Sequence, residues 1–264
     1  MMNRRTLLAS AAPAALASLA APHAALGAVT RSTALSPQYY ELRRYRLRNV
    51  SQQGAFHAFW GDVAVPALNR LGIEPVGAFT VAHGPNGPSV YVLLPHADLA
   101  SATTVRRRLA EDETYMQAGE GFLKRSMADP SYVRYESSLF KAFDGMPVME
   151  TPIDSDGRVF ELRVYESQSD EAGIRKIEMF DNGEIPIFRE VGLHPVFFGE
   201  ALVGELLPNL TYMLVFESMA AREEAWAKFI AHPDWRTLSA DPYYAETVSA
   251  ISSYVLRPTG YSQV

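Results

Sequence analysis

Phe160-Glu161-Leu162-Arg163-Val164-Tyr165 decides how this chain is built, because it occurs twice. Its first appearance is Tyr40-Glu41-Leu42-Arg43-Arg44-Tyr45, at an offset of 120 residues. The same offset aligns Trp60, Pro66, Gly72 and Pro75 with Phe180, Pro186, Gly192 and Pro195. A repeat at fixed spacing means one supersecondary unit used twice.

Around each hexapeptide the elements follow the same order. In the first copy, Tyr39 to Arg48 alternates as a strand does. A helix follows to about Leu71, with Ser51 able to cap it, Phe56, Phe59, Trp60, Val63 and Leu68 near helical spacing, and Gly72 to stop it. Pro66 lies inside that helix and should kink or restart it. Strands at Glu74–His83 and Ser89–Leu94 flank the turn signal Gly84-Pro85-Asn86-Gly87. A helical region from Asp98 to Lys124, broken near Glu111-Asp112, leads to a last strand, Tyr132–Phe140. The second copy repeats this with strands Arg158–Glu166, His194–Val203, Leu210–Glu217 and Val248–Arg257, and helices Glu171–Val191 and Ala220–Ala231. Near the copies' ends Ser137-Ser138 echoes Ser252-Ser253 at a shorter offset.

A βαββαβ unit is the ferredoxin-like plan, a four-stranded antiparallel sheet with two helices on one face. The other face must also be covered. Two tandem ferredoxin-like domains in one chain can cover each other, closing both sheets into an intramolecular α+β barrel. The expected divisions are a leader at 1–28, a first domain at 38–142, a linker at 143–157 and a second domain at 158–258. Alternation puts Tyr40, Leu42, Phe160, Leu162 and Val164 on one face of their strands. The expectation is that this face meets the helices. Glu41, Arg43, Tyr45, Glu161, Arg163 and Tyr165 would then point into the barrel. There they could bind an anionic or hydroxylated small ligand through Arg43 and Arg163, or form ion pairs that fix the sheets in register.

These features resemble the NIPSNAP family: the doubled hexapeptide, a helix with Trp60 and Pro66, then Gly72 and Pro75-Val76-Gly77, and again Pro186, Gly192 and Pro195. The resemblance covers about residues 38–140 and 158–258. It implies the dimeric α+β-barrel superfamily, which includes small monooxygenases and haem-handling proteins. It supplies no agreed catalytic residue to carry over and no assigned cofactor. Three function classes follow: a small-molecule binder, an oxygenase-like enzyme without a cofactor or with haem, and a non-catalytic interaction protein.

The N-terminus reads as an export signal. Arg4-Arg5-Thr6-Leu7-Leu8 and an Ala/Leu run to Ala21 give a charged and then an apolar region, with small residues around Ala24–Ala28. The paired arginines resemble a twin-arginine signal, which points to a bacterial periplasm and departs from the mitochondrial members of the family. No later stretch is apolar for long enough to span a bilayer. With 48% hydrophobic and 20% charged residues, the chain has ample core material. A formal charge of −6 argues against non-specific nucleic-acid binding. The absence of cysteine removes disulfides and thiolate chemistry. Homo-oligomerisation through the outer helices is left open.

The other titratable groups point to structure. No two of His57, His83, His96, His194 and His232 have metal-ligand spacing. Glu111-Asp112-Glu113 reads as a solvated helix break and Arg106-Arg107-Arg108 as a solvated helix face. Trp226, Phe229 and Ile230 read as core, and Trp235 as core or as a plug at the end of a pocket.

Overall fold

The computed structural model describes residues 35–83 and 87–264. The expected export signal and most of the Gly84–Gly87 turn lie outside these. In chain order the first half comprises β1 Tyr39–Arg46, α1 Val50–Phe59, α2 Val65–Arg70, β2 Gly77–His83, β3 Ser89–His96, α3 Leu99–Glu111, α4 Glu113–Ala118, α5 Glu120–Leu123 and β4 Arg134–Ala142. The second comprises β5 Val159–Glu166, α6 Asp170–Met179, α7 Ile185–Val191, β6 His194–Val203, β7 Asn209–Phe216, α8 Met219–Ala231, α9 Pro233–Ser239 and β8 Ala250–Pro258. The two halves share one βαββαβ plan.

The eight strands close into a barrel in the order β1-β3-β2-β8-β5-β7-β6-β4. Each half contributes the run 4-1-3-2 or 8-5-7-6, and the seams are β2 against β8 and β4 against β6. Every neighbouring pair is antiparallel. Four steps therefore separate β1 from β5, and the two run in the same direction, so residues early in both strands lie at one end of the barrel.

The sequence's helix signals act as their chemistry requires, with two adjustments. Asn49, not Ser51, caps α1, its side chain accepting from the Gln52 N–H at 2.9 Å. Pro66 and Pro186 restart their helices. Each lies in the first turn of α2 or α7, where a missing N–H costs little. A π-helical turn precedes each restart. Val65 donates to Trp60 and Ile185 to Phe180, five residues back. Beyond the helices, Gly72 and Gly192 hold φ at 75° and 84°, the left-handed region that glycine enters without strain. Asp112 makes the break between α3 and α4, accepting from the Tyr115 N–H at 2.9 Å. Arg107 pairs with Glu111 at the surface, while Arg108 donates to the carbonyl of Leu71. Phe229 is core, and the tilted Trp235 ring lies 4.4 Å from it between centroids. Ile230 is exposed, against expectation.

The core divides into three clusters, and they correct the expected facing of the first strands. Tyr45 packs against Phe56, Trp60 and Leu68 of the first half's helices. Tyr165 packs against Phe180, Phe188 and Phe229 of the second's. Tyr40, Phe79, Leu93 and Phe140 form the third cluster with Phe160, Leu162, Phe197 and Leu256. That cluster draws on both halves and fills the barrel. Tyr40 meets Phe197 at 5.0 Å and Phe79 meets Phe160 at 4.7 Å between ring centroids. The apolar face thus points inward and the Glu-Arg-Tyr face outward, beneath the helices. The physical reason is burial. The barrel interior is enclosed by two sheets and takes the more apolar set. The sheet-helix layer can supply polar partners from the helices.

Candidate functional site

Glu41, Arg43, Tyr45, Glu161, Arg163 and Tyr165 come together in two networks, one in each half. In the first, Arg43 donates twice to Glu41, at 2.7 Å for each bond. Ser137 donates to Glu41 at 2.6 Å, and Arg43 reaches the Tyr45 hydroxyl at 3.4 Å. In the second, Glu161 is wholly buried. It accepts from Arg163 at 2.8 Å, from Arg222 at 2.7 and 2.8 Å, from the Trp226 indole at 2.8 Å and from Ser253 at 2.7 Å. The Arg163 guanidinium lies 4.6 Å from the centre of the Trp226 ring. Burial works against both carboxylates. For Glu41 it is outweighed by the neighbouring His96, Arg43 and Ser137, and for Glu161 by Arg222, Ser253, Arg163 and Trp226. Both carboxyls are held at about 2.

Each carboxylate oxygen therefore already has a protein partner, and none of the six residues lines the barrel cavity. Of the two roles the sequence allows them, this geometry fits the ion-pair role. Arg222 and Trp226 complete the second network and are not part of the repeated motif. Their signal was spacing alone, since four residues apart on α8 they share one face.

The same apolar face that fills one end of the barrel leaves a cavity at the other. Past Leu42 and Leu162 the interior opens into a space of about 110 Å³. Its inner wall is Leu42, Phe140, Leu162 and Val164, from β1, β4 and β5. Arg44 stands at the mouth, hydrogen-bonded to Glu136, with Glu205 of the β6–β7 hairpin at 3.9 Å. Tyr91 also hydrogen-bonds Arg44. Ser138 and Tyr254 face each other across the space, paired in register with Leu42 and Leu162. Reading the strands with the opposite face inward would have found Arg44 and Val164 in the sequence. Glu205, on a connecting hairpin, left no such signal.

No group of three or more His, Asp or Glu suited to a metal ion occurs among the described residues. A histidine-ligated haem would need a histidine facing the cavity. Among the described side chains none does so. His57 Nδ1 is 2.9 Å from the Tyr261 hydroxyl. His96 is buried with Nδ1 on Ser101, and His232 caps α9 through the Asp234 N–H. No described histidine is placed to ligate a haem in this cavity.

An eight-stranded barrel formed by two ferredoxin-like halves, closed on an apolar interior, defines the class as a dimeric-type α+β barrel contained in one chain. The NIPSNAP family profile matches residues 40–130 and 160–263, and the chain belongs to that family. No curated protein matches it. Among solved structures, a candidate monooxygenase from Fusobacterium nucleatum superposes with a TM-score of 0.54 at 8% identity, over 84% of this chain and 93% of that one. A second, from Lactobacillus acidophilus, gives 0.54 at 9% identity over 84% and 94%. An uncharacterised NIPSNAP-like domain protein from Burkholderia xenovorans gives 0.38 at 18% identity, over 42% of this chain and 92% of that one. At these identities the likeness is one of fold. No described helix is long and apolar enough to cross a membrane.

Proposed function

We propose that this NIPSNAP-family protein binds a small molecule between its two sheets, at the open end of the barrel. The observation that carries the reading is the cavity itself, with apolar walls drawn from both halves and a few polar groups at its mouth. That is the make-up of a ligand site. Its volume is below that of an engineered cavity of roughly 150 Å³ that holds benzene, so the enclosed part of the ligand is one ring or a short branched group. Any remainder extends past Arg44 into solvent. The likeness to monooxygenases adds no residue to this cavity, since fold does not carry chemistry.

The test is ligand content. Protein purified from its native host, denatured and examined by mass spectrometry, should release a small molecule in stoichiometric amount. Val164→Trp, which fills the cavity, should release none. Equal amounts from both proteins would refute the site.

The reading includes export, supported by Arg4-Arg5-Thr6-Leu7-Leu8 and the Ala/Leu run behind it. Replacing both arginines by lysine should hold the protein in the cytoplasm with its leader attached. Unchanged periplasmic recovery would rule out the twin-arginine route.

A further inference from the structure

The repeat gives each residue of the cavity a counterpart in the other half, and the register identifies it. Arg44 of β1 stands opposite Tyr91 and Glu136, and Val164 of β5 stands opposite Thr211 and Ser252. Ser138 lies opposite Leu42 as Tyr254 lies opposite Leu162. The two halves keep Glu, Arg and Tyr under the helices yet differ at every one of these four positions around the cavity. The first half presents Arg44, Tyr91, Glu136 and Ser138. The second presents Val164, Thr211, Ser252 and Tyr254. At these positions the first half brings charge to the cavity, and the second brings none, presenting Val164 and the Tyr254 ring beside the hydroxyls of Thr211 and Ser252.

Two donors on the polar side have no partner of their own. Arg44 Nε is buried and makes no hydrogen bond among the described residues. The Ser138 hydroxyl makes none there either, although it lines the cavity. Both belong to residues that line the same cavity. The charge on Arg44 is already matched, however. Glu136 and Glu205 lie on it, with Arg46 as the second cation on Glu136. An anion entering here would meet two carboxylates without a free positive charge to offset them. A cation would have to displace Arg44 or Arg46 from Glu136.

We propose that the barrel mouth takes a neutral molecule of one ring or similar apolar bulk carrying a single acceptor oxygen, such as a carbonyl. The oxygen turns to Arg44 Nε and Ser138, and the apolar body lies against Leu162, Val164 and the Tyr254 ring. This inference rests on the small-molecule reading above and narrows it to a chemical class.

The experiment is a titration of the full-length mature protein with four probes of one shape: benzaldehyde, toluene, benzoate and benzylamine. Binding is followed by NMR of the methyl groups of Leu42, Leu162 and Val164. Benzaldehyde should shift these methyls with an affinity about fivefold above toluene, the worth of one or two modest hydrogen bonds. It should exceed benzoate and benzylamine by about tenfold or more. Ser138→Ala should bring benzaldehyde close to toluene and leave toluene unchanged. Val164→Trp, or Thr211→Trp should the first not fold, should abolish all shifts at the remaining methyls. Benzoate or benzylamine binding as tightly as benzaldehyde overturns the neutral class and leaves the small-molecule site standing. Methyls unmoved by any probe up to its solubility overturn both. Binding that survives the tryptophan variants overturns the location.

Discussion

Ser137 and Ser253 do the same work in the two halves of the barrel. Each donates to the glutamate of its first strand, at 2.6 Å to Glu41 and 2.7 Å to Glu161. The register confirms the equivalence, with Ser137 opposite Arg43 and Ser253 opposite Arg163. The sequence echo had paired Ser137-Ser138 with Ser252-Ser253, one residue out of step. The repeat thus extends to a fourth member of the network, a serine that comes from the last strand of each half.

The two networks differ in how far they are enclosed. Glu161 is wholly buried and has four partner side chains, whereas Glu41 retains 12% side-chain exposure. Removing Glu161 leaves Arg163 and Arg222 uncompensated under the helices. Glu161→Ala should cost about 3–5 kcal/mol in urea unfolding. Glu41→Ala should cost less, because Arg43 can gain partial hydration. Equal losses would mean that Arg222 and Trp226 add nothing.

Both carboxyls set the acid limit of the fold. Their folded value of about 2 lies below the ordinary 4.5. Their contribution is complete above pH 4.5 and is lost as pH falls toward 2. Glu184 acts with the opposite sign, because burial pushes its carboxyl up. Its contribution is present below 4.5 and fades as pH rises. The double variant Glu41→Gln, Glu161→Gln should therefore show a flatter stability profile between pH 4.5 and 2 than the parent. A parallel pair of profiles there would count against the assignment.

The repeat also offers a natural replacement for a buried ion pair. Lys176 and Glu184 meet at 2.7 Å with almost no exposure. Their counterparts in the first half are Phe56 and Ala64, both buried. Lys176→Phe alone strands a buried carboxylate and should cost about 3–5 kcal/mol. Adding Glu184→Ala should recover most of that loss, as a double-mutant cycle by urea unfolding would read. A double variant no better than the single one would show that the helix layer of the second half cannot accept the first half's packing.

Much of this architecture could be read from spacing. The doubled hexapeptide, Pro66 and Pro186, and Gly72 and Gly192 lead to two βαββαβ halves and to their closure. Strand alternation separates Glu41, Arg43 and Tyr45 from Tyr40, Leu42 and Arg44 without saying which set points inward. That choice depends on partners distant in sequence. Arg222 and Trp226 reach the outer face from α8, and Phe79, Phe140 and Phe197 fill the inner one. A lone strand carries neither fact, so the cavity and Arg44 at its mouth were not legible in the sequence.

The most direct measurement is a crystal of the protein soaked with benzaldehyde. Density for the ring is expected against Leu162, Val164 and Tyr254, with its oxygen toward Arg44 and Ser138. Density beneath the helices beside Arg43 or Arg163, or a barrel mouth left unoccupied at saturating probe, would contradict a binding site between the two sheets.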